Sequence, residues 1–217
     1  MFKIFSVKGV PQLAWSSTSP YNLKPAPKTI FYLIFGLILF GLGESLLIAS
    51  SAGVSPWTVL AEGIALHTGW KIGFTTFVVS LTILIFWIPL KQKPGIGTLA
   101  NAVIIALVID YSLPYLPYPE TFFWQLVQAA AGVLIVGVAS GIYLTANLGP
   151  GPRDGLMTGL QRVTNFAIAY IRIALEVTVV SVGWLLGGTV GLGTLIFALG
   201  VGPCVAIGIL LVIRYMK

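Results

Sequence analysis

Apolar residues dominate six runs along the chain, at about 30–50, 71–90, 98–116, 122–146, 167–186 and 194–213. Each predicts a helix able to cross a bilayer, which takes roughly 20 residues. Two shorter helical segments fit between the runs, near 55–67 and 153–164. They are too short to cross and predict half-helices. The sharpest interruption spans Asn147 to Leu160 and reads NLGPGPRDGLMTGL. Gly149, Pro150, Gly151 and Pro152 cannot continue a helix, so the chain breaks there. Pro152 suits the first turn of a new helix, and Asp154 in that turn suits the positive end of its dipole. Arg153 does not. A cation at that place calls for an anion, supplied by Asp154, by an acidic side chain from elsewhere or by a ligand.

Composition sharpens this picture. The 217 residues are 57% hydrophobic and 8% charged, with mean hydropathy +0.99. These values exclude a soluble domain and indicate an all-α, polytopic helical membrane protein. Trp70, Tyr111, Tyr115, Trp124 and Tyr215 fall near run ends, where interfacial aromatic belts are expected. Cys204 is the single cysteine and His67 the single histidine, which leaves no disulfide framework, no CxxC site and no zinc constellation. Neither a metal nor a cofactor is expected.

The net charge of +6 does not mark a nucleic-acid binder, because the basic residues sit at segment ends rather than on one face. Residues 1–28 carry Lys3, Lys8, Lys24 and Lys28 with Phe2, Phe5 and Trp15, and predict a basic cytoplasmic tail touching the membrane surface. The membrane domain is then 29–217. With six spans and the N-terminus inside, Lys91, Lys93, Arg153, Arg162, Arg214 and Lys217 share the inner side with the tail. Lys71, Asp110 and Glu120 fall outside. This asymmetry predicts both termini inside.

The chain also repeats. Shifting it by 96 residues aligns 36–99 with 132–195 without a gap, and 14 of the 64 pairs are identical. Gly53 and Pro56 fall on Gly149 and Pro152, and Gly95, Gly97, Thr98 and Leu99 fall on Gly191, Gly193, Thr194 and Leu195. The repeats run over about 30–116 and 122–214. Each reads span, Gly/Pro break, half-helix, span, GxGTL turn, span. Three spans per unit is an odd number, so the expectation is two inverted three-span repeats whose breaks meet near the bilayer midplane.

The GPGPRDGL core, the matching GVSPW break, the two GxGT turns and the size resemble the YczE/YyaS/YitT family of bacterial integral membrane proteins. The likeness runs from about residue 30 to the C-terminus and is most specific at Gly149 to Gly159. It implies a bacterial inner-membrane protein and supports the fold, without implying an activity.

Ionisable residues inside the runs need partners or water, because burying a charge in lipid is costly. Arg172 and Glu176 lie one turn apart and can pair within their helix. The matching positions, Thr76 and Ser80, are also polar, which favours a shared polar face lining a central path. Glu44 has no partner in its own helix and must meet Arg153, Arg172, a cation or a proton. Glu62 and Arg162 on the half-helices read as interfacial. Gly137-x-x-x-Gly141, Gly155-x-x-x-Gly159 and Gly183-x-x-x-Gly187 read as ridges for close helix packing, and Gly202-Pro203 as a kink.

Free N–H groups at each break make preformed anion sites. The first break offers Ser55, Trp57 and Thr58 where the second offers Gly151, Arg153 and Asp154, so the two halves of a site would be unlike. The expected binding residues are Arg153, Asp154, Gly149, Gly151, Ser55, Thr58, Glu44, Arg172 and Glu176. No catalytic set stands out. The first functional expectation is a small transporter or channel for an anionic or zwitterionic solute. A membrane scaffold or accessory subunit comes next, and a lipid-modifying enzyme last. The expected partners are the bilayer and the solute, with a homo-oligomer left open.

Overall fold

Every long apolar run becomes a helix, and none becomes a strand. The computed structural model describes residues 10–216; Phe2, Lys3, Phe5, Lys8 and Lys217 lie outside the described residues. The helices are α1 (Pro27–Ala49), α2 (Pro56–Thr68), α3 (Ile72–Trp87), α4 (Ile96–Ser112), α5 (Phe122–Thr145), α6 (Pro152–Thr164), α7 (Ile168–Leu185) and α8 (Leu192–Tyr215). The protein is thus an all-α, polytopic membrane protein. Five helices, α4 being counted with its 3-10 extension to Tyr115, are long and apolar enough to cross alone. The sixth span is not one straight helix. α3 has 16 residues and reaches the required length only with α2, from which it is bent by 114°. It stops at Trp87, two residues before Pro89, which has no N–H for the next helical bond.

Local chemistry sets the element ends. α1, α2 and α6 each begin with proline, whose missing N–H costs nothing in a first turn. The half-helices α2 and α6 both end on a left-handed residue, Gly69 (φ 72°) and Asn165 (φ 57°). Gly53 and Gly149 carry the same special backbone, φ 110° and 107°. α6, α7 and α8 start 96 residues after α2, α3 and α4 (56 to 152, 72 to 168, 96 to 192).

The two halves exchange matching contacts. The Gly97 N–H at the start of α4 donates to the Leu148 carbonyl in the second break (2.7 Å), and the Gly193 N–H at the start of α8 donates to the Ala52 carbonyl in the first (2.7 Å). Leu148 is Ala52 plus 96, and Gly193 is Gly97 plus 96. Each half therefore closes the other's break. A Cβ on Gly193 would run into the Gly53 carbonyl, and one on Gly97 would come within 2.8 Å of the Leu148 carbonyl. Side chains are excluded at both turns for the same reason.

α4, α1, α5 and α8 pack in that order as a row, while α2, α3, α6 and α7 pack beside it, α2 against α7 and α3 against α6. Gly41 of α1 meets Val108 of α4, and Gly137 of α5 meets Cys204 of α8, again 96 residues on. Gly137 and Gly141 act as the packing ridge their spacing predicts, the latter against Gly208. Gly155 receives the Trp87 ring, and Gly183 receives the backbone at Val59 and Leu60. Gly187 is not a ridge residue: it lies just past α7 with φ 90° and turns the chain. Pro203 lies inside a helix that remains continuous.

The match between halves fails most plainly in one pairing. α3 packs along α4, whereas α7 and α8 make at most marginal contact. The first pairing rests on Asp110, whose carboxylate accepts from the N–H groups of Gly73 (2.7 Å) and Phe74 (3.0 Å) at the start of α3. The position 96 residues on is Ala206, which offers no such anchor.

Two expectations about the surface need correction. The N-terminal segment does more than touch a membrane. Trp15 is buried, stacks near Tyr32 and donates its indole N–H to the Met216 carbonyl, while Ser16 donates to Thr145 O (2.6 Å) and Asn147 to Ser17 O (2.8 Å). Its polar backbone finds partners that way. Glu62 is buried rather than interfacial, because its carboxylate accepts from the Thr189 N–H in the turn between α7 and α8 (2.9 Å). Arg162, in contrast, is exposed and reaches only Gln92.

The glycine contacts make a stability prediction. Gly193→Ala should destabilise the detergent-solubilised protein by about 1–3 kcal/mol through overpacking. Gly200→Ala in the same helix should change stability by less than about 1 kcal/mol, since a Cβ there meets only the tip of the Val133 side chain (3.3 Å) and alanine favours helix. Thermal unfolding of both variants checks this, and equal shifts would show that the Gly193 contact does not matter.

Candidate functional site

A cavity of about 410 Å³ lies between the row of long helices and the half-helices. Its size suits one small molecule. The walls are built from matching positions. Trp57 and Arg153, Thr76 and Arg172, Ser80 and Glu176, and Asn101 and Phe197 all line it, and each pair is separated by 96 residues. The cavity therefore sits where the two halves face each other. α7 and α8 both contribute to the wall without packing on one another.

The chemistry of the two halves is unlike. α6 places Arg153 and Asp154 on the cavity, and α7 adds Arg172 and Glu176, whereas the first half supplies Trp57, Thr76, Ser80 and Asn101. Asp154 is exposed where it faces this open cavity. Gly151 caps α6 and also lines the cavity.

Three of the four charged groups are partnered. Arg172 Nε lies 2.8 Å from Glu176 Oε1, the one-turn pairing expected from their spacing. Asp154 Oδ2 accepts from the Tyr143 hydroxyl (3.1 Å). Arg153 is different. Its guanidinium lies over the Trp57 ring, 5.5 Å from the centroid, and makes no hydrogen bond or ion pair among the described residues. The start of its helix is held elsewhere, by the Trp87 indole N–H donating to Pro152 O (3.0 Å). Arg153 is thus not a clamp for the break. Its five N–H donors find no acceptor among the described residues.

The remaining expected residues lie off the cavity wall. Gly149 serves the backbone, with its φ of 107° and its contact with Gly95 and Thr98. Glu44, Ser55 and Thr58 form a separate buried cluster. Glu44 Oε2, Ser55 Oγ and Thr58 Oγ1 lie 2.9 Å from one another, and Glu44 Oε1 has no hydrogen-bond partner. One helical turn links the two places. Trp57 faces the cavity while its neighbour Thr58 reaches Glu44, as the roughly 100° between adjacent helical residues requires.

Tyr143 and Asn101 were not expected in the wall. Tyr143 reads as an ordinary residue of an apolar run, and only the fold brings it to Asp154. Asn101 was recoverable in principle, since a polar residue shortly after the first GxGT turn points into the same shared space as Thr76.

No solved structure matches this chain. An uncharacterized protein of Haemophilus influenzae is 40% identical over 199 residues, covering 92% of this chain and 90% of its own length. The uncharacterized membrane protein YczE of Bacillus subtilis is 32% identical over 169 residues, covering 77% of this chain and 79% of its own. The uncharacterized protein YyaS of the same organism is 27% identical over 173 residues, covering 78% and 86%. Residues 27–209, from the first helix well into the last, match the family of unknown function DUF6198. With both breaks, both GxGT turns and the whole cavity inside that range, the chain belongs to the DUF6198 family.

Proposed function

We propose that this chain is a small membrane transporter or channel, without enzymatic activity, that binds an anionic or zwitterionic solute in the cavity beside Arg153. The observation that carries this reading is the free guanidinium. A cation at a helix N-terminus, in a cavity of molecular size, is unfavourable until an anionic group meets it. A carboxylate or phosphate-like group would complete it with charge-assisted, bidentate bonds. The Arg172–Glu176 pair and Asp154 give the same cavity both signs of charge. That suits a solute carrying an amine as well as an acid. A scaffold or accessory subunit, the alternative, has no use for an unpaired arginine in an internal space.

The path is read from the paired breaks. We take the halves as inverted three-span repeats in a bacterial inner membrane, with both termini on the cytoplasmic side. The equal 96-residue offsets, the exchanged break contacts and the docking of the N-terminal segment beside Met216 support this. Alternating exposure of a central site is what such an arrangement permits.

Topology is tested first. On a Cys204→Ser background, single cysteines at Thr68 and Asn165 should react with an impermeant thiol reagent from opposite sides of the membrane. Labelling from one side would refute inversion. The site is tested next, with small carboxylates, inorganic phosphate and zwitterionic amino acids as probes in thermal-shift and liposome-uptake assays. At least one class should stabilise the wild-type protein. Arg153→Ala should then weaken binding by roughly 10- to 100-fold, the equivalent of a lost charged hydrogen bond of about 1.5–3 kcal/mol. Arg153→Lys should fall between, with the fold kept. Unchanged binding and uptake in both variants would sink the assignment.

A further inference from the structure

The buried cluster at Glu44 carries its own argument, separate from the solute cavity. Glu44 is 1% exposed, and Ser55 and Thr58 are fully buried. Three oxygens, Glu44 Oε2, Ser55 Oγ and Thr58 Oγ1, stand 2.9 Å apart along all three edges of a triangle. Each edge is within hydrogen-bond distance, and a bond on every edge would need three hydrogens. The two hydroxyls bring two. The third has to come from the carboxyl group.

An ionised Glu44 fits this geometry less well. Both hydroxyls would donate to Oε2, leaving no hydrogen in the 2.9 Å contact between Ser55 and Thr58. That arrangement puts two bonds on Oε2. It would leave none on Oε1, which is buried and unpartnered. A carboxylate has about four acceptor sites to fill, and a buried unfilled one is costly. A neutral carboxylic acid closes the ring instead. Its Oε2–H donates to Ser55 Oγ, Ser55 donates to Thr58 Oγ1, and Thr58 donates back to Glu44 Oε2. Oε1 is then an uncharged carbonyl oxygen, for which a missing partner costs far less.

We propose that Glu44 is a proton-binding site: it holds an exchangeable proton within the Glu44–Ser55–Thr58 ring and gives it up when the first turn of α2 moves. Binding is a simple protonation, in which a carboxylate and a proton from the aqueous phase form one O–H bond. The charged groups around it come from several elements. Arg153 on α6 and Glu62 on α2 lie within electrostatic reach of Glu44. α5 offers only Tyr143 as an ionisable side chain, and α4 offers Asp110 and Tyr111. Asp110 is already engaged by Gly73 and Phe74 at the start of α3. With a proton on Glu44, the two arginines and two acids of the cavity are left in balance. Release of that proton would pull Arg153 toward the cluster and away from a solute. If the transport reading above holds, on which this step rests, the proton is the ion whose binding would be linked to occupancy of the cavity.

Infrared spectroscopy of the full-length protein in liposomes at neutral pH tests this without any solute. The wild type should show the C=O stretching band of a buried protonated carboxyl, moving on transfer to D2O. Glu44→Gln should lose one carboxyl equivalent of that band, whereas Asp154→Asn should keep it. Ser55→Ala, which retains the carboxyl but removes its acceptor, should shift the band without abolishing it, and covers the case in which Glu44→Gln does not fold. Carboxylate bands lost in Glu44→Gln, with the protonated band intact, would overturn the proposal. So would a band unmoved in both Glu44→Gln and Ser55→Ala. Stabilisation of the wild type by sodium chloride, absent with choline chloride and abolished in Glu44→Gln, would show a sodium site instead and also overturn it.

Discussion

The exchange of backbone hydrogen bonds between the two breaks is the constraint from which the rest of this structure follows. Within a bilayer, each unsatisfied backbone group costs several kcal/mol, so a broken helix is tolerated only where something else satisfies it. Here the carbonyls of Ala52 and Leu148, stranded past the ends of α1 and α5, receive the N–H groups of Gly193 and Gly97. Those N–H groups lie in first turns, where no intrahelical acceptor exists. Each half thus supplies the donor the other lacks. This arrangement requires glycine at the receiving turns, left-handed backbone at Gly53 and Gly149, and a fixed spacing between break and turn. It also leaves neither half complete alone.

A frame with matched halves does not require matched chemistry. Some packing contacts keep their likeness, as at Gly41–Val108 and Gly137–Cys204. Around the cavity the pairs diverge in charge: Trp57 against Arg153, Thr76 against Arg172, Ser80 against Glu176. The first half became the neutral wall and the second the charged one. Packing diverged as well, since Asp110 ties α3 to α4 and Ala206 cannot tie α7 to α8. Glycine at position 202, with open space where its Cβ would lie, belongs to this loosened side of the cavity.

What the sequence made legible was whatever depends on local rules or on the repeat. Proline and glycine chemistry located both breaks and both half-helices within a few residues, and one-turn spacing located the Arg172–Glu176 pair. The 96-residue offset put Thr76 and Ser80 on the same surface as that pair. Long-range contacts were not legible. Nothing local to Trp15 says that its indole will meet the chain's last turn, or that Glu62 will close onto Thr189. Glu44, Ser55 and Thr58 were recognisable as polar residues needing partners, but not as one another's partners away from the cavity. A buried polar group must be satisfied; the sequence states the demand, and only the fold shows who meets it.

The first turn of α2 is where these threads join. Ser55 and Thr58 turn toward Glu44, and Trp57 between them turns toward Arg153 and the cavity. The turn begins with Pro56, so no backbone N–H ties that residue to the preceding chain. Its side chains therefore do much of the work of holding it, with the Val54 N–H to Thr189 O (3.4 Å) a long and correspondingly weak tether. A change in the hydrogens available at Glu44 alters the bonds of two residues in a single helical turn. Trp57, on the same turn, stands between that buried acid and the guanidinium of Arg153. Its own indole N–H is buried without a partner, so the aromatic face, and not a hydrogen bond, sets its position against Arg153. The ring is seated in the buried cluster it shares with Val79, Ile83, Trp87, Leu156 and Val179, and presents its face to the guanidinium from there.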